Sequence, residues 1–193
     1  MRYFKWVIKN WQLVVATGLG LGFLPWLLGE KFRGKGGGTM GSLLAYGVQI
    51  LWLWLCPAFY LPLTIVAACA SYSIGIKTVP ETAKYFMSRW GPRKRHNGEV
   101  TEYDYNEICI DEVAGQFAAG FPIWLVAYNF KVAALVLTGT LLAFRIWDTA
   151  KFWPISLVEK NKKFSPAQQV MLDDWYIGVI ISWILLFILL VTT

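Results

Sequence analysis

Four short segments carry residue types that together could bind and transfer a phosphoryl group. The first is Gly36-Gly37-Gly38-Thr39-Met40-Gly41-Ser42, directly before an apolar run. Glycines let backbone N–H groups approach an anion, and a following helix N-terminus adds a favourable dipole. Thr39 or Ser42 could equally cap that helix. The second is Asp111-Glu112-Val113-Ala114-Gly115, adjacent carboxylates at the start of another apolar run. There a helix dipole favours negative charge, and Gly115, one turn on, allows a neighbouring backbone close. In the third, Phe144 to Ile155, Arg145, Asp148 and Lys151 recur at i, i+3, i+6 and form one polar stripe on a helix that Pro154 ends. Arg binds phosphate through a bidentate fork and Lys as a point charge.

The fourth segment contains Asp173-Asp174. Ser165-Pro166-Ala167-Gln168 reads as a helix start, with Ser as N-cap, Pro at the first helical position and Gln closing a capping box. The aspartates then fall about two turns inside that helix, too deep for capping. Adjacent carboxylates repel, and near a membrane they need a cation to stay ionised. Each segment alone has a plainer reading as a turn, a cap or an ion network. Together they supply the carboxylates Asp111, Glu112, Asp148, Asp173 and Asp174, the cations Arg145 and Lys151, and an N–H-rich loop. Hard oxygen ligands of this kind suit Mg²⁺, which keeps waters and bridges to substrate phosphate.

The elements that must position these residues belong to a membrane protein. Apolar residues make up 56% of the chain and charged ones only 16%, against about 25% charged in soluble domains. The charge is clustered, and Ile177 to Thr193 carries no ionisable side chain at all. Six apolar stretches follow one another: Trp11–Leu28, Leu43–Cys56, Ala58–Ile76, Val113–Tyr128, Val132–Trp147 and Tyr176 to the end. Several are shorter than the ~20 residues of a spanning helix, so the helices are expected to run on into the motif residues.

Lys and Arg crowd the N-terminus, the Gly29–Gly38 loop, and the Lys77–Asp111 and Arg145–Asp174 segments. The Pro57 turn, the Asn129–Lys131 turn and the C-terminus are nearly free of them. The positive-inside rule puts the crowded loops in the cytoplasm. Trp11–Leu28 must then begin and end on the same side, so it is predicted to be re-entrant or interfacial; its glycines and Pro25 suit a broken helix. The expectation is an all-α polytopic membrane bundle, one domain over residues 1–193, with about five spanning helices plus that N-terminal segment. All four motifs land on the cytoplasmic face. Arg2, Lys5 and Lys9 before an apolar stretch superficially resemble a signal peptide, but no small-residue cleavage site follows and the segment is expected to be retained. Cys56, Cys69 and Cys109 form no C-x-x-C and read as small hydrophobes.

In the order and spacing of these motifs the chain resembles the phosphatidylglycerophosphatase A family. That family carries a D-E-x-x-G motif, an F-R-x-x-D-x-x-K-P-W-P-I-like run, a D-D-x-x-A-G-like motif and an N-terminal G-T-x-G-S segment, matched here from Gly38 to Gly178. The resemblance implies a Mg²⁺-dependent phosphatase that converts phosphatidylglycerol phosphate to phosphatidylglycerol at a bacterial inner membrane. It makes Asp111, Glu112, Asp148, Asp173 and Asp174 the metal and catalytic acids. It makes Arg145 and Lys151 phosphate ligands, and Thr39 and Ser42 are expected to bind substrate with them. The expected partners are an anionic phospholipid and the membrane, with no nucleic acid. The chain departs from the family pattern at Phe152, where the run has Pro, and at Ile177, where a small residue precedes Gly178. The second departure predicts looser helix packing at Gly178.

Two other readings compete. A CDP-alcohol phosphotransferase also uses Mg²⁺ at the membrane edge, but its longer D-G-x-x-A-R run is absent. A divalent-cation carrier or channel would need acids deep in its helices. The histidine-dependent lipid phosphatases need two histidines, whereas His96 is the only one and lies in a basic polar loop. The Arg89–Arg95 segment could attract anionic lipid or simply reflect positive-inside charge. If the phosphatase reading holds, Asp173→Asn stops phosphate release without unfolding the protein.

Overall fold

The computed structural model describes residues 10–28, 36–94, 100–103, 105–150 and 163–192. Their helices are α1 (Trp11–Ala16), α2 (Gly37–Leu55), α3 (Tyr60–Trp90), α4 (Ile110–Ala119), α5 (Phe130–Ala150) and α6 (Pro166–Thr192), with 3-10 segments at Leu21–Leu28, Pro57–Phe59 and Phe121–Val126. The extended structure among the described residues is a two-residue antiparallel ladder pairing Arg93 with Thr101 and Lys94 with Val100. The basic N-terminal residues Arg2, Lys5 and Lys9, together with His96, Lys151, Phe152 and Pro154, lie outside the described residues.

Among the described residues four helical segments are long and apolar enough to cross a bilayer: α2, α3 with the turn before it, α5 and α6. Large side chains such as Trp54, Val66, Leu135, Trp183 and Phe187 point outward from them and are more than 60% exposed, an arrangement that suits hydrocarbon rather than water. As expected, these helices outrun their apolar stretches. The extension of α3 from Lys77 to Trp90 is amphipathic: Thr78, Val79, Thr82, Ala83 and Phe86 are buried, whereas Lys77, Glu81, Lys84 and Arg89 are exposed. Lys84 donates to Glu81 at 2.8 Å on that outer face.

The stretch Val113–Tyr128, expected as a further crossing helix, is broken. Helix α4 stops before Gly120, and Phe121–Val126 continues as a 3-10 segment with Pro122 in its first turn. Pro122 has no N–H to continue the helical ladder. A ten-residue helix is about 15 Å long, half the thickness of the hydrocarbon core. Its role is central instead. Every residue of α4 except Asp111 and Glu112 is buried, with α2, α3, α5 and α6 packed around it.

The N-terminal segment is broken as expected. Six-residue α1 ends at Thr17, and Gly18, Leu19 and Gly20 take left-handed φ values of 57°, 60° and 89° before the 3-10 segment that contains Pro25. Neither piece is long enough to cross a membrane. The segment docks on the amphipathic end of α3, where Phe86 stacks on Trp90 at 4.5 Å and meets Phe23 at 6.0 Å, and Trp26 lies 5.2 Å from Trp90. The Cys109 N–H donates to the Ala16 carbonyl at 2.9 Å, which ties this segment to the residue before α4.

A polar group links α2, α3 and α4. Tyr60 Oη donates to Gln49 Oε1 at 2.7 Å, and Gln49 Nε2 donates to the Gln116 carbonyl at 3.3 Å. All three residues are fully buried.

Helices α4 and α6 touch backbone to backbone. A Cβ on Gly115 would sit 2.6 Å from the Asp174 carbonyl and 2.7 Å from the Phe144 ring. One on Gly178 would collide with the Gly115 carbonyl and lie 3.0 Å from Ala118 Cβ. Packing at Gly178 is therefore close, contrary to the expectation drawn from Ile177. The Ile177 side chain points instead into an apolar cluster with Ala119, Phe144 and Ile181. Because a carbonyl cannot rotate aside, Gly178→Ala must push α4 from α6. A loss of about 1–3 kcal/mol is expected, read as a lower unfolding temperature in detergent; an unchanged temperature would contradict this crossing.

Candidate functional site

Helix α4 begins in the middle of one end of the bundle, so its first-turn acids Asp111 and Glu112 are central there. Three other elements bring the remaining motifs to the same place. The first turns of α2 carry Gly38 and Ser42, the last turns of α5 carry Arg145 and Asp148, and the second and third turns of α6 carry Asp173 and Asp174.

The start of α6 follows its sequence signature. Ser165 N donates to Gln168 Oε1 at 2.8 Å, and Gln168 N donates to Ser165 Oγ at 3.3 Å, which closes a reciprocal capping box. Of the two aspartates, Asp174 is the one that turns toward α4. Carboxylate oxygens of Asp111, Glu112 and Asp174 all lie within 4.8 Å of one another. Asp174 is buried and the other two are half-buried. Asp173, one residue and about 100° around the helix, is buried next to this triad but not part of it.

The glycine segment differs from its expected form. It is not a loop before the helix but the first turns of α2 itself, with Gly36 as N-cap at φ 77°. Thr39 and Ser42 therefore do not cap. Ser42 lies inside the helix, where its hydroxyl donates to the Gly38 carbonyl at 3.2 Å and accepts from Arg145 Nη1 at 3.4 Å. Thr39 is half-buried in the same turn. Gly38 itself is needed for room. A Cβ there would collide with Glu112 Oε1, and would stand 2.7 Å from its Cδ and 3.3 Å from Arg145 Nη1.

Arg145 and Asp148 occupy one face of α5, as their spacing predicts, and pair at 2.8 Å. Both are largely covered, with 23% and 18% of their side chains exposed, so the pair is less screened than a surface one. Lys151, the third member of that stripe, lies outside the described residues. Burial, above all, pushes the Glu112 carboxyl well above the usual carboxylate range. Asp111, which is also hydrogen-bonded to it, and Asp148 push the same way, and Arg145 opposes them. Packed carboxylates of this kind ionise together only when positive charge is supplied.

The donor set fits a small divalent cation. Oxygens opposite each other on Mg²⁺ are about 4.2 Å apart, since each bond is about 2.1 Å, close to the spread of the triad. Glu112 Oε2 is buried and has no hydrogen-bond partner among the described residues, so its lone pairs are open to a cation and to one further donor.

Gln116 lies outside the four motifs yet belongs to this neighbourhood. It is fully buried on α4, four residues after Glu112, and neither its Oε1 nor its Nε2 has a hydrogen-bond partner among the described residues. An amide inside an otherwise apolar run, one turn from a motif acid, was its signal in the sequence.

No curated protein and no solved structure gives a significant match to the chain. The phosphatidylglycerophosphatase A family, in contrast, matches it over residues 14–189, nearly its whole length. That span contains all four motifs and the acidic triad they build, and the chain belongs to the phosphatidylglycerophosphatase A family.

Proposed function

We propose that the chain is a Mg²⁺-dependent phosphatase that hydrolyses the terminal phosphomonoester of phosphatidylglycerol phosphate, leaving phosphatidylglycerol and inorganic phosphate. The observation that carries this reading is the convergence of Asp111, Glu112 and Asp174 at one end of a membrane bundle, next to an arginine held by Ser42 and Asp148, in a chain of this family.

Asp111, Glu112 and Asp174 would hold the cation, with Asp148 and Asp173 as further acids of the same site. When bound, Mg²⁺ supplies positive charge to the phosphoryl oxygens and acidifies a coordinated water. Arg145 is held at Nη1 by Ser42 and Asp148, which leaves its Nε and Nη2 donors for a phosphate oxygen. Lys151 adds a second cation in this reading. Water attacks the terminal phosphorus, the bond from phosphorus to the glycerol oxygen breaks, and that oxygen takes up the proton the water gives up, while Arg145 and Lys151 balance the charge of the transferring group. Radiolabelled phosphate trapped on the protein would instead reveal a carboxylate nucleophile.

The membrane end that carries the site is assigned to the cytoplasmic side of a bacterial inner membrane, because the basic segments flank it. Acids confined to the bundle end favour a surface hydrolase over a carrier, whose acids would line a path through the helices. Purified protein in detergent is expected to release phosphate from phosphatidylglycerol phosphate with Mg²⁺, to stop in excess chelator, and to recover when Mg²⁺ is restored. Phosphatidic acid and a prenyl diphosphate serve as competing substrates. Release that ignores the chelator would overturn the metal-dependent reading, and faster release from either competitor would overturn the lipid assignment.

A further inference from the structure

The buried amide of Gln116 is unexplained by packing. A buried amide whose oxygen and nitrogen both lack partners is costly to leave so, and a partner is expected in the working state. Its neighbours narrow the choice. The backbone is pinned, because the Gln116 carbonyl accepts from Gln49 Nε2 at 3.3 Å, and Gln49 is itself fixed by Tyr60. On a helix the Cα–Cβ bond tilts toward the N-terminus, which for Gln116 is toward the turn of Glu112. Residues at i and i+4 have Cβ atoms about 5–6 Å apart, within hydrogen-bond reach for Glu and Gln. At that end stands Glu112 Oε2, buried and without a hydrogen-bond partner among the described residues. On the far side, the Gly38 backbone blocks the Glu112 carboxylate from swinging toward α2.

We propose that Gln116 is a positioning residue for the metal centre, its side-chain amide donating to a Glu112 carboxylate oxygen when the centre is loaded. The inference rests on the acidic triad being the metal site. The unpartnered donor and acceptor lie four residues apart on a buried helix, the spacing at which side chains meet. Carboxylates that ligate metals are commonly held by such outer hydrogen bonds, and removing one typically costs 10–100-fold in metal affinity. Gln116 touches neither substrate nor the reacting atoms, so it acts through Glu112.

The test is Mn²⁺ binding, followed by electron paramagnetic resonance, in the full chain and in Gln116→Met, which keeps the volume and removes the amide. Mn²⁺ affinity is expected to fall about 10–100-fold. The Mg²⁺ concentration for half-maximal phosphate release should rise to match, with the rate restored at saturating Mg²⁺. A packing role would lower thermal stability and maximal rate while leaving both metal midpoints in place, and that outcome overturns the proposal. Should Gln116→Met fail to fold, the unmodified chain labelled with ¹⁵N-glutamine gives a second readout. A side-chain amide signal that is shifted and protected from exchange on adding Mg²⁺ is expected; glutamine signals unchanged by Mg²⁺ overturn the proposal. An unmodified chain that releases no phosphate in response to Mg²⁺ would refute the phosphatase reading itself. Intact metal-dependent activity with unmoved midpoints in Gln116→Met refutes only this inference.

Discussion

Asp174→Asn is expected to lower phosphate release by about 10²-fold or more at any Mg²⁺ concentration, while the protein remains folded. Asparagine has nearly the shape of aspartate, so the contact between the Asp174 backbone and Gly115 is preserved. What changes is charge, and with it the third carboxylate of the triad. Two further consequences separate this from general damage. In chelator the variant should be at least as stable as the unmodified chain, because two packed carboxylates repel less than three. On adding Mg²⁺ the unmodified chain should gain stability by mass action, and the variant should not. A variant that keeps its activity, or that gains the same stability from Mg²⁺, would remove Asp174 from the metal set. Asp173→Asn tests the neighbouring acid in the same assay. A large activity loss with the Mg²⁺ stabilisation intact would mark Asp173 as acting in catalysis rather than in metal binding.

Gly38→Ala carries the second large effect. In most helices this exchange is favourable by about 1 kcal/mol. Here the new methyl group would occupy the position of Glu112 Oε1 and crowd Arg145 Nη1. Both obstructing atoms are at the ends of side chains, so the fold accommodates the methyl by rotating the Glu112 carboxylate aside. The site does not. Displacement of a reacting or ligating group by about 1 Å costs up to 10²-fold, and phosphate release is expected to fall within that range with little change in unfolding temperature. Gly47→Ala on the same helix is the control. Gly47 is exposed with nothing within 4 Å of the added Cβ, so that variant should match or exceed the unmodified chain in stability and match it in activity. Equal activity in the two alanine variants would show that Glu112 does not need its place against Gly38.

Much of this arrangement was legible before any coordinates, for identifiable reasons. Clustered charge against long apolar runs dictates membrane helices, and the Ser165–Gln168 capping box marks where α6 begins. The i, i+3 spacing of Arg145 and Asp148 predicts the pair found at 2.8 Å. Other features depend on tertiary contacts that no local pattern contains. A glycine-rich segment before an apolar run is compatible with a loop, and only contact of Gly38 with Glu112 and of Gly41 with the Cys109 carbonyl explains why those glycines are helical instead. Paired aspartates leave open which of them faces a neighbour until the phase of α6 against α4 is known. The break after α4 was different. Gly120-Phe121-Pro122 is a local stop signal, and its apolar surroundings concealed it. Gln116 was concealed in the same way, since an amide in an apolar run acquires meaning only when the partners of its neighbours are counted.

The most direct measurement of the central claim follows Mn²⁺ occupancy and phosphate release from phosphatidylglycerol phosphate in the same sample of purified chain, beginning metal-free in detergent. Release is expected to rise in step with filling of a protein-bound Mn²⁺ site, and both are expected to disappear together in Asp174→Asn. Full release before any Mn²⁺ is bound, or Mn²⁺ binding undiminished in Asp174→Asn, would contradict the claim.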